Sequence, residues 1–407
     1  MIFSLSEIRR IFPIAKRRIG ATIVSWIQHI FSSEKLVKDV FGTNSDKRVL
    51  LCHLPEAFAG GALPKHHSNL TECYTVAKCF ARLGYSVDCT SRAKSDIDYS
   101  CYSVIFGING NAFFNSFTAS RETNPLRIFY SVGAHTCYNY KVTTERNCDF
   151  YKRHERWLLG SNRYMPGDAR NYYEARFADA VICLGDTNVV QQFIEDDPSP
   201  NHYRQLSSFY FPVAQPDKNK DFSKCRKNIL WFGSMGFIHK GLDIAIDYAL
   251  AHPDYTLHIC GSSNEPEFWS YYRPKIKGSN NIIVHGFVDI ESREFVSLLD
   301  ECAVLMNPSI SEGGAVSVLN VLGNGALLPV YSRGTGLNLE KTGVEVPIVT
   351  YDSFDAAMLS VDSMTAEEMA ERAWATHKFV RDNYTLELYE ERMFRHIKEI
   401  IDNSDKR

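Results

Sequence analysis

The residues whose types and spacing could do chemistry are concentrated in two short stretches of the second half of the chain. In the first, residues 231–246 (WFGSMGFIHKGLDIAI), an apolar run ends at Gly233 and Ser234, and Lys240 then precedes a helical pattern. Unpaired backbone N–H groups at a helix start, with a lysine beside them, favour an anion. The alternative is a solvated lysine at a helix start between turn glycines. The solvated lysine is the commoner case for such a lysine–glycine pair, but it is less favoured here because the loop lies where a doubly wound sheet binds phosphate.

The second stretch, residues 311–320 (SEGGAVSVLN), combines an acidic side chain with two glycines at a predicted strand-to-helix junction. Gly313 and Gly314 would let the backbone approach a ligand closely, and the helix after them offers free N–H groups. Glu312 could accept hydrogen bonds from hydroxyl groups such as those of a sugar. Alternatively, it stabilises the helix dipole as an acidic residue near the N-terminus. Asn320 follows eight positions later, on the predicted helix.

Alternating strands and helices must position these two stretches. Short continuous apolar runs, separated by amphipathic patterns, begin at Lys47 and indicate parallel sheets covered on both faces. The runs are KRVLLCHL, YSVDCT, YSVIFGI, RIFYSVG and ADAVICLG, then KNILWFGS, YTLHICG, NIIVHGFV, AVLMNPS, ALLPVYS and VEVPIVTY. Two doubly wound halves are the simplest arrangement, with a ligand in the cleft outside the carboxyl ends of the strands.

One predicted helix, NLTECYTVAKCFARLG, has a clear apolar face and ends at Gly84. Apolar side chains recur on it at spacings of three and four residues, as expected for a helix with one buried side. The predicted face consists of Leu70, Cys73, Tyr74, Ala77, Phe80 and Ala81.

Length and composition set the domain count and exclude some classes of protein. A chain of 407 residues indicates two domains, and the turn-rich residues 211–228 (FPVAQPDKNKDFSKCRKN) are the predicted linker. We assign residues 47–214 to a first domain, residues 215–376 to a second, and residues 377–407 to terminal helices that could pack back on the first. A net charge of −3 does not favour nucleic acid as a partner. Eleven cysteines without metal-site spacing favour reduced thiols in the cytosol.

Residues 1–46 form a separate basic and aromatic segment. A cluster of five basic residues (Arg9, Arg10, Lys16, Arg17 and Arg18) precedes the apolar run IGATIVSWIQHIF. This run is shorter than the roughly 18 apolar residues that span a bilayer. Three interpretations stay open: a helix packed on the protein, an amphipathic helix on anionic lipid, or a signal peptide without a recognisable cleavage site. The second would make a cytoplasmic protein peripheral at the inner membrane face.

The two stretches, in this order and context, resemble the carboxyl-terminal half of family-4 glycosyltransferases, which are retaining enzymes of the GT-B fold. The matching pieces are FGSMGFIHKGLD, NIIVHGFV and NPSISEGGAVSVLNVLGNGALLPV, so the resemblance covers about residues 227–348. In the first half, KRVLLCHLPEAFAGG, ARLGYSVD and FYSVGAH match more weakly. The resemblance implies two Rossmann-like domains that face each other across a cleft, with the acceptor on the first domain and the nucleotide-sugar donor on the second.

The resemblance also assigns roles to individual residues. Lys240 would neutralise the donor diphosphate, and Glu312 would contact the transferred sugar. His135, after the fourth strand of the first half, would line the reaction centre. The predicted catalytic residues are therefore His135, Lys240 and Glu312. The predicted donor-binding residues, including a glycine loop in the first half, are Gly60, Gly61, Gly233, Ser234, Lys240, Glu312, Gly313, Gly314 and Asn320.

Two positions depart from the family pattern. The usual arginine before the lysine falls near Ser234, and the second glutamate, which binds the nucleotide ribose, is replaced by Asn320. An amide can still exchange hydrogen bonds with ribose hydroxyls, but it lacks charge-assisted bonds, which are roughly twice as strong. We therefore expect lower donor affinity or a different donor.

The predicted activity is transfer of a sugar from a nucleotide diphosphate to a glycan or lipid-linked acceptor, with retention at the anomeric carbon, as in polysaccharide biosynthesis. A fixed cation and a helix dipole would stabilise the departing diphosphate, so that neither a metal nor a cofactor is needed. The pattern Asp96-Ile-Asp98 could suggest the metal site of the other glycosyltransferase fold, but this spacing is frequent by chance.

Two alternatives to this activity stay open. The substitutions at Ser234 and Asn320 favour a non-catalytic protein that binds a nucleotide sugar or acts as a scaffold. A sugar-nucleotide epimerase of the same fold would instead need a carboxylate base, for which the first half offers Glu56 or Glu72.

Overall fold

A computed structural model describes residues 35–404, apart from residue 66 and residues 119–123, 164–169, 199–201 and 262–263. The basic cluster and the apolar run of the amino-terminal segment lie outside the described residues. Within the described part of the chain, no helix is both long and apolar enough to cross a membrane. All eleven cysteines are described and all are free thiols, eight of them buried.

The described residues form two sheets, one for each half of the chain. The first sheet has the strand order β1-β3-β2-β4-β5-β6-β7, and the second has the order β10-β9-β8-β11-β12-β13. Their bounds are β1 Leu36–Val37, β2 Arg48–His53, β3 Ser86–Ser91, β4 Val104–Gly107, β5 Leu126–Ser131, β6 Ala180–Leu184, β7 Tyr203–Leu206, β8 Asn228–Phe232, β9 Thr256–Cys260, β10 Ile282–Gly286, β11 Val304–Asn307, β12 Leu328–Ser332 and β13 Val344–Val346.

All neighbouring strands are parallel except β1, which pairs antiparallel with β3 at the edge of the first sheet. The structure confirms the prediction of two doubly wound α/β halves, and every predicted strand is present. The sequence pattern missed β1 and β7. Both are short edge strands, and the two middle residues of β7 are polar and partly exposed, so neither contains the continuous apolar run of a central strand.

Helices cover both faces of the sheets. Their bounds are α1 Ser68–Arg82, α2 Asn111–Phe114, α3 Thr136–His154, α4 Arg170–Phe177, α5 Thr187–Asp196, α6 Phe222–Cys225, α7 Leu242–Ala251, α8 Pro266–Ile276, α9 Arg293–Glu301, α10 Val316–Asn324, α11 Tyr351–Asp362, α12 Ala366–Asn383 and α13 Leu386–Ser404. Single 3-10 turns occupy Pro55–Phe58, Asn115–Phe117, Leu159–Ser161 and Arg333–Thr335.

The buried face of α1 differs from the predicted one. Glu72 is buried, whereas Tyr74, predicted on the core face, is 39% exposed. The reason is that α13 returns to the first domain and covers a second side of α1. Lys78 and Glu390 pair across this contact at 2.9 Å, and the Tyr130 and Tyr389 hydroxyls lie 3.0 Å apart beneath it. A helix packed between a sheet and another helix buries more than one stripe.

The segment between the two sheets is held to α10 by two buried amides. Asn320 Oδ1 accepts a hydrogen bond of 2.8 Å from the backbone N–H of Phe211. Asn324 Oδ1 accepts from the N–H groups of Val213 and Ala214, each at 2.8 Å, and its Nδ2 donates to Phe211 O. These bonds satisfy the backbone of a buried connection that no sheet pairs. The connection between the domains is therefore fixed to the second domain.

Candidate active site

The two stretches singled out by the sequence meet at one point of the second sheet. Strands β8 and β11 are neighbours in this sheet, and the chain order reverses between them. The loop after β8 leads to Lys240, and the loop after β11 leads to Glu312. Open α/β sheets bind ligands at such a switch point, because the connections from the two strands leave in opposite directions and open a crevice.

Lys240 and Glu312 form a buried ion pair across this crevice. The Lys240 ammonium contacts Glu312 Oε1, and only 8% and 12% of the two side chains is exposed. Ser309 Oγ also donates to Glu312 Oε1 at 2.9 Å. The backbone of the lysine is fixed as well, because the buried indole of Trp231 donates to Lys240 O at 3.2 Å. The crevice therefore contains a preorganised cation with a carboxylate counter-ion.

Burial and charge act in opposite directions on the carboxylate of this pair. Burial alone would raise the pKa of Glu312, but Lys240, Arg163 and His239 together hold the pKa at about 2. Burial lowers the pKa of Lys240, and Glu312 opposes part of that change. Lys240 therefore favours the ionised form of Glu312, and an anionic ligand that reaches Lys240 must share it with Glu312.

The glycine after Glu312 allows the two domains to touch at the site. A Cβ built on Gly313 would lie 2.2 Å from the carbonyl oxygen of Val132, in the loop between β5 and α3 of the first domain. No other residue type fits this approach without displacing backbone. Asn139 Nδ2 of α3 also donates to Ser311 Oγ across the same contact at 3.2 Å. The loop that carries Glu312 is thus in direct contact with the first domain.

Two cavities open on either side of this contact. The first, about 550 Å³, is lined mainly by the first domain, including Arg92, Asn109 and Arg170. The second, about 540 Å³, is lined mainly by the second domain. Both are bordered by Val132, Arg163, Glu312 and Gly313. A molecule in one cavity and a molecule in the other would therefore meet at Glu312.

Most of the predicted donor-binding residues line the second cavity. These are Gly233, Ser234, Lys240, Glu312, Gly313 and Asn320. Gly314 adopts a left-handed backbone conformation (φ +82°) just before Ala315, the N-cap residue of α10, and lines neither cavity. The predicted glycine loop lies elsewhere: Gly61 borders a third cavity, between α1, the interdomain connection and α13, and Gly60 borders none of the three.

His135 lies next to the cleft, but its side chain points away from it. Residues 131–134 line the first cavity, whereas His135 does not. Its imidazole packs against Phe193 of α5, with ring centroids 4.9 Å apart, and Nε2 lies 3.8 Å from Asp196. In this geometry the imidazole does not face the ion pair, so contact with reacting atoms, as expected from the resemblance, is not supported. The loop that carries His135 borders the cleft, but packing decides the direction of its side chain.

Sequence reasoning missed Arg163, which borders both cavities. Its guanidinium lies 3.6 Å from Glu312, and its side chain covers Gly236, where a Cβ would lie 2.5 Å from Arg163 Cδ. The arginine expected near Ser234 is therefore absent from the loop itself, but an arginine from the first domain lies over the same loop. No local pattern indicates this, because residues 138–173 lack a recognisable motif.

Glu72 also lines the second cavity, from α1 of the first domain. The Tyr130 hydroxyl donates to its Oε2 at 3.0 Å. Burial raises the pKa of Glu72 to about 7, although hydrogen bonds from Tyr130 and Ser68 oppose the change. The cleft therefore holds a carboxyl group that exchanges its proton near neutral pH.

No model of a known protein family matches the sequence, and neither does any curated protein. Solved structures do match. Sucrose-phosphate synthase of Thermosynechococcus elongatus is 11% identical, with a TM-score of 0.60 over 88% of this chain and 100% of that one. A glycosyltransferase of Rickettsia africae is 14% identical, with a TM-score of 0.58 over 88% and 99%. HepE of Anabaena, solved in complex with UDP-glucose, is 13% identical, with a TM-score of 0.57 over 87% and 99%.

These matches extend over nearly the whole of this chain and of each matched structure. Sequence identities this low establish the fold alone. This chain has the two-domain GT-B fold, as shown by its two mainly parallel sheets, the cleft between them and the agreement with several glycosyltransferase structures.

Proposed function

We propose that this protein is a retaining glycosyltransferase that transfers a sugar from a nucleotide diphosphate to a glycan or lipid-linked acceptor without a metal ion. The observation that carries the proposal is the buried Lys240–Glu312 pair at the switch point of the second sheet, between two cavities. A nucleotide sugar would occupy the second cavity, and the acceptor would enter the first. The reacting sugar would then lie beside Glu312.

The charges of the cleft suit the departure of a diphosphate. Negative charge develops on the phosphate oxygens as the sugar leaves, and a fixed ammonium in a desolvated crevice stabilises it without reorganisation. Lys240 supplies this charge, and Arg163 supplies a second cation from the first domain. The N-terminus of α10 lines the second cavity through Val316 and Ser317 and adds backbone N–H groups. Three groups of this chain could thus replace a divalent cation.

The nature of the donor follows from comparison rather than from the cavity itself. A structure with the same fold, HepE of Anabaena, was solved with UDP-glucose. A uridine diphosphate sugar is therefore the first donor to test. The structures compared above do not indicate the acceptor in the same way. The amino-terminal residues 1–46 favour an acceptor at an anionic membrane surface, where the basic cluster would bring a cytoplasmic enzyme to the bilayer.

The experiment is release of nucleotide from a panel of UDP- and GDP-sugars, measured with and without candidate acceptors. We expect release that is lost in Lys240→Ala and strongly reduced in Arg163→Met. Lys378→Ala is the matched control, because Lys378 lies on α12 and is an exposed lysine that pairs with Asp382 at the surface. Binding without release under all conditions, with affinity unaffected by Lys240→Ala, would rule out the enzyme.

A non-catalytic binding protein is the second candidate, favoured by Ser234 and Asn320 in the second cavity. It predicts that a nucleotide sugar binds and that Lys240→Ala weakens binding, but that no acceptor produces turnover. An epimerase is the third. It would use Glu72, and it predicts interconversion of two sugar nucleotides, detectable by chromatography without any added acceptor.

A further inference from the structure

A cluster outside the cleft brings together three side chains that bind transition metals. His135 Nε2, Cys137 Sγ and an Asp196 carboxylate oxygen all lie within 4.8 Å of one another. The histidine is buried, whereas the cysteine and the aspartate reach solvent. We propose that His135, Cys137 and Asp196 form a binding site for a divalent zinc ion.

The chemistry of the three groups matches this ion. Zinc binds histidine nitrogen, cysteine thiolate and carboxylate oxygen, at about 2.0–2.3 Å, in tetrahedral geometry. Neutral imidazole, thiolate and carboxylate carry two negative charges together, which balance Zn²⁺. His135 Nε2 and Asp196 Oδ2 are 3.8 Å apart, so side-chain rotations that contract the triangle by roughly an ångström would close the site. A fourth position would remain for water.

The ends of two helices favour the positive charge of the ion and the negative charge of the cysteine thiolate. Asp196 is the last residue of α5, where the negative end of the helix dipole stabilises a cation. Cys137 is the second residue of α3, where the positive end of the helix dipole opposes the rise in the pKa of its thiol that burial and Asp196 cause. The ion would therefore join the end of one helix to the start of the next.

A second cluster in the molecule shows what distinguishes this one. His154, Asp243 and Asp247 also lie within metal-binding reach of one another. Their carboxylates are already neutralised: Arg146 and Arg153 both contact Asp243, and Arg153 also contacts Asp247. A metal ion would have to displace these arginines.

Asp196, by contrast, forms no ion pair with a lysine or arginine among the residues that the structure describes. Its contacts there are His135 at 3.8 Å and the Tyr172 hydroxyl, which donates to its carboxylate. Arg176, whose charge acts on this tyrosine, is paired with Asp197 instead. The carboxylate of Asp196 is therefore available to a cation, unlike those of the arginine-bridged cluster.

The test uses the untagged full chain, with Co²⁺ as a coloured substitute for zinc. We expect one Co²⁺ per chain, with a near-ultraviolet sulfur-to-metal charge-transfer band that stoichiometric Zn²⁺ abolishes. Cys137→Ser should remove the band and weaken zinc binding by at least tenfold in competition with a chromophoric chelator, because the thiolate ligand is lost. Cys148→Ser is the matched control, since Cys148 is another exposed thiol of α3. It should leave both readouts unchanged.

Asp196→Asn provides a second variant that keeps the size of the side chain and an acceptor for Tyr172. It should keep the charge-transfer band but weaken zinc binding, which distinguishes a three-ligand site from adventitious binding to a thiol. A band that survives Cys137→Ser, an equal loss in Cys148→Ser, or zinc affinity unchanged by Asp196→Asn would overturn the proposal. So would wild-type protein that binds no Co²⁺.

Discussion

Replacement of Glu312 by glutamine tests the central ion pair most directly. The pKa of Glu312 is about 2 in the folded protein, against an ordinary value of 4.5. A difference of this size corresponds to about 3 kcal/mol of favourable interaction with the ionised carboxylate. Burial of Lys240 offsets part of it, and glutamine can still accept the bond from Ser309. We therefore expect Glu312→Gln to lower the free energy of unfolding by about 2–3 kcal/mol at pH 7.

The pH dependence of this loss follows from the direction of the pKa shift. Because folding depresses the pKa of Glu312, its contribution is fully present above about pH 4.5 and is lost as the pH falls towards 2. Urea unfolding, followed by tryptophan fluorescence, should give a constant difference between wild type and Glu312→Gln from pH 5 to 8. Below pH 4.5 the difference should shrink. A difference that is absent at pH 7 would refute the ionic description of the pair.

The same variant separates stability from ligand binding. Glutamine releases the Lys240 ammonium from its counter-ion, so we expect Glu312→Gln to bind UDP at least as tightly as wild type, with loss of sugar transfer. Lys240→Met should instead weaken UDP binding by roughly tenfold to a hundredfold, since a charge-assisted hydrogen bond contributes about 1.5–3 kcal/mol. Calorimetric titration with UDP measures both. Equal weakening in the two variants would mean that Glu312 does not compete with the phosphates for Lys240.

Three further predictions concern other parts of the cleft and the chain. Glu72→Gln should be more stable than wild type at high pH. Because folding raises the pKa of Glu72 to about 7, the free energy of unfolding of wild type should fall by up to about 3 kcal/mol as the pH rises from 4.5 through 7, whereas that of the variant should not. The same pH dependence of unfolding in both proteins would contradict this. Asn320→Glu should lose the 2.8 Å hydrogen bond from Phe211 N–H, which lowers the free energy of unfolding by about 1–3 kcal/mol, and should not bind UDP more tightly. Tighter UDP binding would instead support contact between residue 320 and the nucleotide ribose. Deletion of residues 1–45 should abolish co-sedimentation with anionic vesicles, and a full-length chain that never sediments would exclude membrane attachment.

The parts of the molecule that repeat along the chain could be predicted from the sequence. Central strands such as β2 and β11 are continuous apolar runs because both faces of a parallel sheet are covered, and this pattern is local. Lys240 and Glu312 could be predicted for the same reason. Each lies in the loop that follows a recognisable strand, and topology places the ends of adjacent parallel strands at one edge.

What only the tertiary structure decided is where side chains from distant parts of the chain point and meet. Arg163 reaches Glu312 from the first domain, and no short-range pattern encodes an approach between residues so far apart. His135 lies on a loop beside the cleft, but packing against α5 turns its imidazole away from the cleft and towards Cys137 and Asp196. Asn320, selected by its spacing from Glu312, is engaged by a backbone N–H that the fold alone brings to it. Local periodicity thus determines the elements and the loops between them, whereas the direction and partner of each side chain depend on contacts that form only when the domains are packed together.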